Sequence, residues 1–164
     1  MTLAAIASAI SDSPWAQEIA GTWLFPFFET LHVFALVAVI GTIVIVDWRL
    51  IGFADRRYSL VTLSRQALPW TWAGFVLAVV TGVLLFVGQV SEYITNPAFL
   101  LKMLLLVLAG LNMLAFHFIA WKTVGAWDRE ALPPPAARLA GALSLAFWIG
   151  VVTCGRWIAF THGS

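Results

Sequence analysis

Six ionisable side chains lie inside long apolar stretches, where a charged or titratable group is energetically costly. They are Glu29, His32, Lys102, His117, Arg138 and Arg156. Because such residues in a membrane segment face protein groups or a cofactor, each is a candidate for function. Glu29 and His32 are three residues apart, which places both on one helix face. A carboxylate there could orient one ring nitrogen of His32 and leave the other for a metal.

Depth along a helix divides these candidates between two halves of a membrane. A rise of about 1.5 Å per residue places His32, Lys102 and Arg156 in the half nearer the chain termini. His162 lies at that surface and, with His32, is a candidate metal ligand. His117 falls roughly 12 Å deeper than His32, too far to ligate the same iron. We expect His117 to bond instead near charged residues of the opposite surface: Asp47, Arg49 or Arg138.

The composition explains why polar residues are so few. The chain is 62% hydrophobic and 10% charged, with a net charge of +1, whereas a soluble domain carries about 25% charged residues. This balance excludes a soluble enzyme domain, a disordered chain and a nucleic-acid binder with a basic face. Cys154 is the one cysteine of the chain, so neither an intrachain disulfide nor a multi-cysteine metal site can form.

Four apolar stretches are long enough to cross a bilayer about 30 Å thick, which takes roughly 20 helical residues. The predicted spans are 24–46, 67–90, 97–121 and 136–160. The sequence therefore predicts an all-α, integral membrane four-helix bundle over residues 24–164. Residues 1–23 are expected at the outer surface, where Ser13-Pro14 would start a short interfacial helix over 14–20. No basic stretch precedes the first apolar run, as a cleavable signal peptide would require.

Polar and small residues within the spans favour close packing of the helices. We expect Asn112 to hydrogen-bond across helices. The small residues that would permit close approach are Gly74, Thr81, Gly82, Gly110, Gly141, Ser144 and Gly150.

Positive charge predicts the orientation. Four Arg residues lie between the first two predicted spans, Lys122 and Arg129 lie between the last two, and the first 48 residues hold neither Lys nor Arg. The positive-inside rule places both of these connections in the cytoplasm and both termini outside. We expect a multi-pass protein of the bacterial inner (plasma) membrane, with N-out and C-out topology.

Two segments resemble known membrane families. The run PAFLLKMLLLVLAGLNMLAFH, preceded by TGVLLFVGQVSEYITNP, resembles the membrane domain of the bacterial copper-resistance D family. The run FETLHVFALVAVIGTIVIVDWRLIGF resembles the Leu-His opening helix shared by that family and the HemJ-type protoporphyrinogen oxidases. The chain is also similar to uncharacterised bacterial four-helix membrane proteins whose first helix contains ETLH. The resemblance covers about residues 24–121.

The resemblance implies a cofactor and two residues that serve it. HemJ-type proteins are small four-helix membrane proteins thought to bind haem b, with an essential His on the first helix and an essential Lys on the third. The matching positions are His32 and Lys102. After the first helix this chain has VDWRLIG, where the oxidases have an aromatic stretch with Pro and Tyr. This departure leaves the substrate open.

The leading hypothesis is a haem b-binding membrane protein with a redox role near the outer face. His32 would be an axial ligand oriented by Glu29, and Lys102 or Arg156 would pair with a haem propionate or a substrate carboxylate. A quinone or a redox protein would be its partner in the bilayer. Whether the chain is itself an oxidoreductase, and which residues would be catalytic, stays open.

Two alternatives come from other classes. A component for transport of, or resistance to, copper or another small cation would use His32, Met103, Met113 and Cys154 as soft ligands. Met103 and Met113 are ten residues apart and face different ways, which weakens this alternative. A non-catalytic membrane subunit, alone or as a homo-oligomer, would use its ionisable residues as interhelical contacts.

Overall fold

The computed structural model describes residues 2–53, 59–128, 132–158 and 160–161, and all regular structure among them is helical. The long helices are α3 (Leu24–Ile51), α4 (Leu60–Gly88), α6 (Pro97–Ile119) and α8 (Pro135–Ile158). All four belong to segments long and apolar enough to cross a membrane. The prediction of an all-α bundle with four membrane spans is therefore confirmed. The shorter helices are α1 (Leu3–Ser11), α2 (Pro14–Gly21), α5 (Val90–Tyr93) and α7 (Val124–Trp127), with a 3₁₀ turn at Trp121–Thr123.

The first connection between long helices is shorter than the sequence predicts. The predicted spans leave 47–66 as a loop, whereas α3 continues to Ile51 and α4 begins at Leu60. Asp47 and Arg49 extend the helix because they are buried, with 5% and 1% of their surface exposed. Gly52 ends α3 with φ of 101°, a left-handed conformation that glycine adopts readily.

The segment before the bundle contains two helices rather than one. The expected helix over 14–20 is α2, with Ser13 as its N-cap and Pro14 in its first turn. The additional helix α1 has Thr2 as its N-cap, whose side chain accepts a hydrogen bond from the amide of Ala5. Ile19 of α2 packs on the end of α4, where a Cβ on Gly88 would lie 3.2 Å from its Cγ2.

The four long helices form a row in which α3 contacts α4 and α8, and α6 contacts α8. Three glycines permit the closest approaches. A Cβ on Gly74 of α4 would lie 3.2 Å from the Ala35 carbonyl oxygen of α3, and one on Gly141 of α8 would lie 3.2 Å from the Asp47 carbonyl oxygen. Gly150 of α8 similarly makes room for a side chain of α6. Gly110 does not fit the prediction, because a Cβ there would have no neighbour within 4 Å.

The ends of the row, α4 and α6, make almost no direct contact along the described chain. None of the α6 residues is buried. The backbones of α4 and α6 therefore do not pack directly against one another, and we call the side of the bundle between them the open side. We call its two ends the terminal end, which holds α1, α2, α5 and residue 161, and the basic end, which holds the connections after α3 and α6.

Polar side chains tie the helices together at several depths. The Thr71 hydroxyl donates to Thr42 across α3 and α4 over 2.8 Å. Asn112 Nδ2 of α6 donates to the Ala140 carbonyl of α8 over 2.8 Å, which confirms the predicted interhelical hydrogen bond. At the basic end, both carboxylate oxygens of Asp128 accept hydrogen bonds at the start of α4, from the Ser59 hydroxyl and the amide that follows it.

Filling the contact at Gly74 should loosen the pairing of α3 with α4. We expect Gly74→Leu to lower the stability of the detergent-solubilised protein by about 1–3 kcal/mol, as overpacking usually does. Gly110→Leu is the matched control, because open space surrounds Gly110. Thermal unfolding followed by circular dichroism measures both. Equal stability of the two variants would contradict the packing of α3 against Gly74.

Candidate functional site

The His32 ring of α3 lies against α4. Its Nδ1 is 2.9 Å from the hydroxyl oxygen of Thr81, a residue only 1% exposed. A Cβ on the adjacent Gly82 would lie 3.2 Å from His32 Cε1, so the ring rests directly on the backbone of α4. The Thr-Gly pair thus provides both a hydrogen-bonding group and the space that the imidazole occupies.

The contact with Thr81 selects one tautomer of His32. The Thr81 hydroxyl donates to the Leu77 carbonyl over 2.7 Å, a common bond for a threonine in a helix. A hydroxyl has one proton to donate, so its oxygen acts as the acceptor toward His32. In the neutral ring Nδ1 therefore carries the proton and Nε2 keeps its lone pair. Nε2 is then the ring nitrogen with a lone pair for a ligand, which is the arrangement of a metal-ligating histidine.

Lys102 of α6 is the candidate cationic residue of the site. Its half-buried side chain extends to α8, where its Nζ lies 3.9 Å from the position of a Cβ on Gly155. Its charge acts on His32, so the two residues are close in the terminal half, as their predicted depths require. Lys102 has no ion pair or hydrogen bond within the described ranges. The buried Cys154 of α8 acts electrostatically on it, and an ammonium in a membrane segment favours an anionic partner.

Three aromatic rings close the open side of the bundle at its terminal end. Phe86 of α4, Tyr93 of α5 and Phe99 of α6 are mutually stacked, with centroids 5.2–6.2 Å apart and planes within 15° of parallel. Phe86 is four residues beyond Gly82, and Phe99 is three residues before Lys102. Both rings therefore lie about one helical turn nearer the terminal end than the His32 contact and Lys102.

Glu29 does not take the predicted role of orienting His32. The His32 Nδ1 bonds to Thr81 instead, and Glu29 is exposed. Glu29 acts on Tyr93: burial, followed by the charges of Glu29 and Glu92, raises the pKa of the Tyr93 phenol. Sequence spacing places Glu29 and His32 on one face of α3, but the threonine of a neighbouring helix lies closer to the ring. The signal that could have found it is a hydroxyl next to glycine in an apolar span.

The other predicted site residues lie apart from His32 and Lys102. Arg156 is exposed, and its guanidinium carbon lies 6.0 Å from the centre of the Phe160 ring. His162 lies outside the described residues. His117 does not bond to Asp47, Arg49 or Arg138 as expected; its Nδ1 contacts the Met113 carbonyl over 2.9 Å. The His117 ring is exposed on α6, and the acceptor within its reach is a carbonyl of the same helix, four residues earlier.

The residues proposed as soft metal ligands do not converge in the described part of the chain. Met103 and Met113 are 36% and 45% exposed, whereas Cys154 is buried. No group of three or more His, Cys, Asp or Glu side chains in the described ranges could hold a metal ion.

The fold and these contacts define a multi-pass α-helical membrane protein that presents a histidine and a lysine inside its terminal half. The chain belongs to DUF6644, a family of unknown function, whose model matches residues 15–161. No curated protein and no solved structure matches the chain.

Removing the acceptor on Thr81 should release the His32 ring. In ¹⁵N NMR spectra of the neutral imidazole, we expect the wild type to show protonated Nδ1 and Thr81→Val to show a mixture of tautomers. Thr81→Ser keeps the hydroxyl and should restore the wild-type spectrum. Loss of one buried hydrogen bond should also cost Thr81→Val about 1 kcal/mol of stability. A wild-type His32 protonated mainly at Nε2 would contradict the assignment.

Proposed function

We propose that this chain binds haem b in the terminal half of its bundle and has a redox role near the outer face of the bacterial inner membrane. One observation carries the proposal: His32 Nδ1 lies 2.9 Å from the Thr81 hydroxyl, which donates to the Leu77 carbonyl. We infer that Thr81 accepts from Nδ1 and that the lone pair of the ring is on Nε2. An imidazole held in this way is the usual protein donor to a haem iron.

The residues around His32 fit the remaining requirements of haem. Lys102 would pair with a propionate, since an ammonium and a carboxylate form a strong hydrogen bond in an apolar setting. The stacked rings of Phe86 and Phe99 supply apolar surface about one helical turn nearer the terminal end. The backbones of α4 and α6 do not pack directly against one another beside this region. Helical bundles commonly hold cofactors among side chains of facing helices.

The chain's own residues would tune the bound group. Haem supplies one-electron transfer when it is bound, and its potential depends on the axial ligand and on hydrogen bonds behind that ligand. Thr81 accepts from His32 as a neutral group, so it orients the ring without adding negative charge. Lys102 adds a positive charge near the ring. Both features favour a higher potential than a carboxylate-supported histidine would give.

Two further observations support the cofactor and the location. The opening helix resembles that of the HemJ-type oxidases, whose essential His and Lys match His32 and Lys102, and the charge of Lys102 acts on His32. The positive residues of the basic end support a cytoplasmic position for that end. The site then lies toward the outer face, where a quinone or a redox protein would exchange electrons with it.

Removal of the proposed axial ligand should abolish haem binding. We expect protein purified from haem-supplied cells to show a Soret band, and His32→Ala to lose most of it. His117→Ala is the matched control, because His117 bonds to the Met113 carbonyl of its own helix and packs on the Phe116 and Trp121 rings, away from His32. Haem is measured by pyridine haemochrome against protein concentration. A colourless wild type, or His32→Ala with the wild-type haem content, would refute the proposal.

Removal of the proposed propionate partner should weaken haem binding without abolishing it. Lys102→Met keeps an apolar chain of similar length and removes the charge, so we expect haem to dissociate roughly 10-fold faster, the effect of losing one charge-assisted hydrogen bond. Lys122→Met is the control, since the Lys122 ammonium lies over the Phe118 ring at the basic end. Transfer of haem to apomyoglobin measures the rate. Equal rates for the two variants would exclude Lys102 from the site.

A further inference from the structure

A second polar group, distant from His32 along α3, is not used by the proposed function. Asp47 is 5% exposed, and its Oδ2 is buried without a hydrogen-bond partner among the described residues. The hydroxyl of Ser144 on α8 is the hydrogen-bonding side chain that acts on this carboxyl. Gly141 of α8 brings the two helices together here, because a Cβ on it would lie 3.2 Å from the Asp47 carbonyl oxygen.

No described positive charge compensates Asp47. Arg49 is two residues further along α3, which turns it to a different face, and its Nη2 donates to the Asp128 carbonyl over 2.7 Å. In the part of the chain that the structure describes, no charged side chain acts on Asp47; burial and Ser144 are the influences upon it. The basic residues of the packed and neighbouring elements are exposed: Arg65 on α4, Arg138 on α8, His117 on α6 and Lys122 in the 3₁₀ turn.

Asp128 provides a contrast within the same end of the bundle. It is buried to a similar degree, at 8% exposed, yet each of its oxygens accepts a hydrogen bond, from the Ser59 hydroxyl and the Leu60 amide. Such donors stabilise a negative charge. Asp47 has an oxygen in the same kind of environment with no donor. Burying a carboxylate without donors or a counter-charge costs far more free energy than burying the neutral acid.

We propose that Asp47 is a proton-binding site in the basic half of the bundle. Its carboxylate takes up one proton and becomes a neutral carboxylic acid, with the O–H formed at Oδ2 and Ser144 bonded to the carboxyl group. The proton comes from the aqueous phase at the basic end. Asp47 is four residues from that end of α3, which terminates at Ile51. The site requires no haem, so its failure and the failure of the haem proposal are independent.

Infrared spectroscopy of the haem-free, full-length protein tests the proposal at neutral pH. We expect a protonated-carboxyl C=O band that shifts in D₂O, is absent from Asp47→Asn and moves in frequency in Ser144→Ala. Asp128→Asn is the matched control and should keep the band. Loss of the band in Asp128→Asn, or its persistence unchanged in Asp47→Asn, would overturn the assignment.

A labelling experiment keeps the test decisive if Asp47→Asn does not fold. Wild type and Ser144→Ala are then prepared with aspartate carrying ¹³C at its side-chain carboxyl. An acid C=O band that shifts with the label in wild type, and moves again in Ser144→Ala, supports the site. Labelled aspartate bands at carboxylate frequencies alone, or an acid band indifferent to Ser144, would overturn it.

Discussion

A polar side chain inside a bilayer must find its partner within the protein, because lipid offers no hydrogen bonds. The bundle meets this constraint at most positions. Thr71 bonds to Thr42, Asn112 bonds to the Ala140 carbonyl, and His32 Nδ1 bonds to Thr81. These contacts join α3 to α4 and α6 to α8 in the same places where small residues let the helices approach. Polar satisfaction and close packing therefore depend on one another in this fold.

The groups that escape the constraint are the informative ones. These groups are the His32 nitrogen opposite Thr81, the Lys102 ammonium, and Asp47 Oδ2, which has no hydrogen-bond partner among the described residues. The first two lie in the terminal half, beside the side of the bundle that α4 and α6 leave open. Asp47 lies near the basic end between α3 and α8. A cofactor with a metal and a carboxylate would satisfy the first pair, and a single proton would neutralise the charge of the third.

The sequence predicts the helices well because long apolar runs have few alternatives in a membrane. It also predicts that His32 and Lys102 share a depth, since helical rise converts position into distance. It fails where partners come from other helices. Glu29 has the spacing to support His32, yet Thr81 does so, because contacts between helices depend on rotation about their axes. The sequence pattern also predicts a loop at Asp47 and Arg49, because charge indicates exposure unless burial between helices is known.

Haem binding in this bundle requires His32 to present Nε2 to the iron while Thr81 accepts a hydrogen bond from Nδ1. The most direct test is an experimental structure of the protein purified from haem-sufficient cells. We expect a haem whose iron is bonded to His32 Nε2, with one propionate beside Lys102 Nζ. A structure in which His32 Nε2 bonds to a protein group, with no cofactor between α4 and α6, would contradict it.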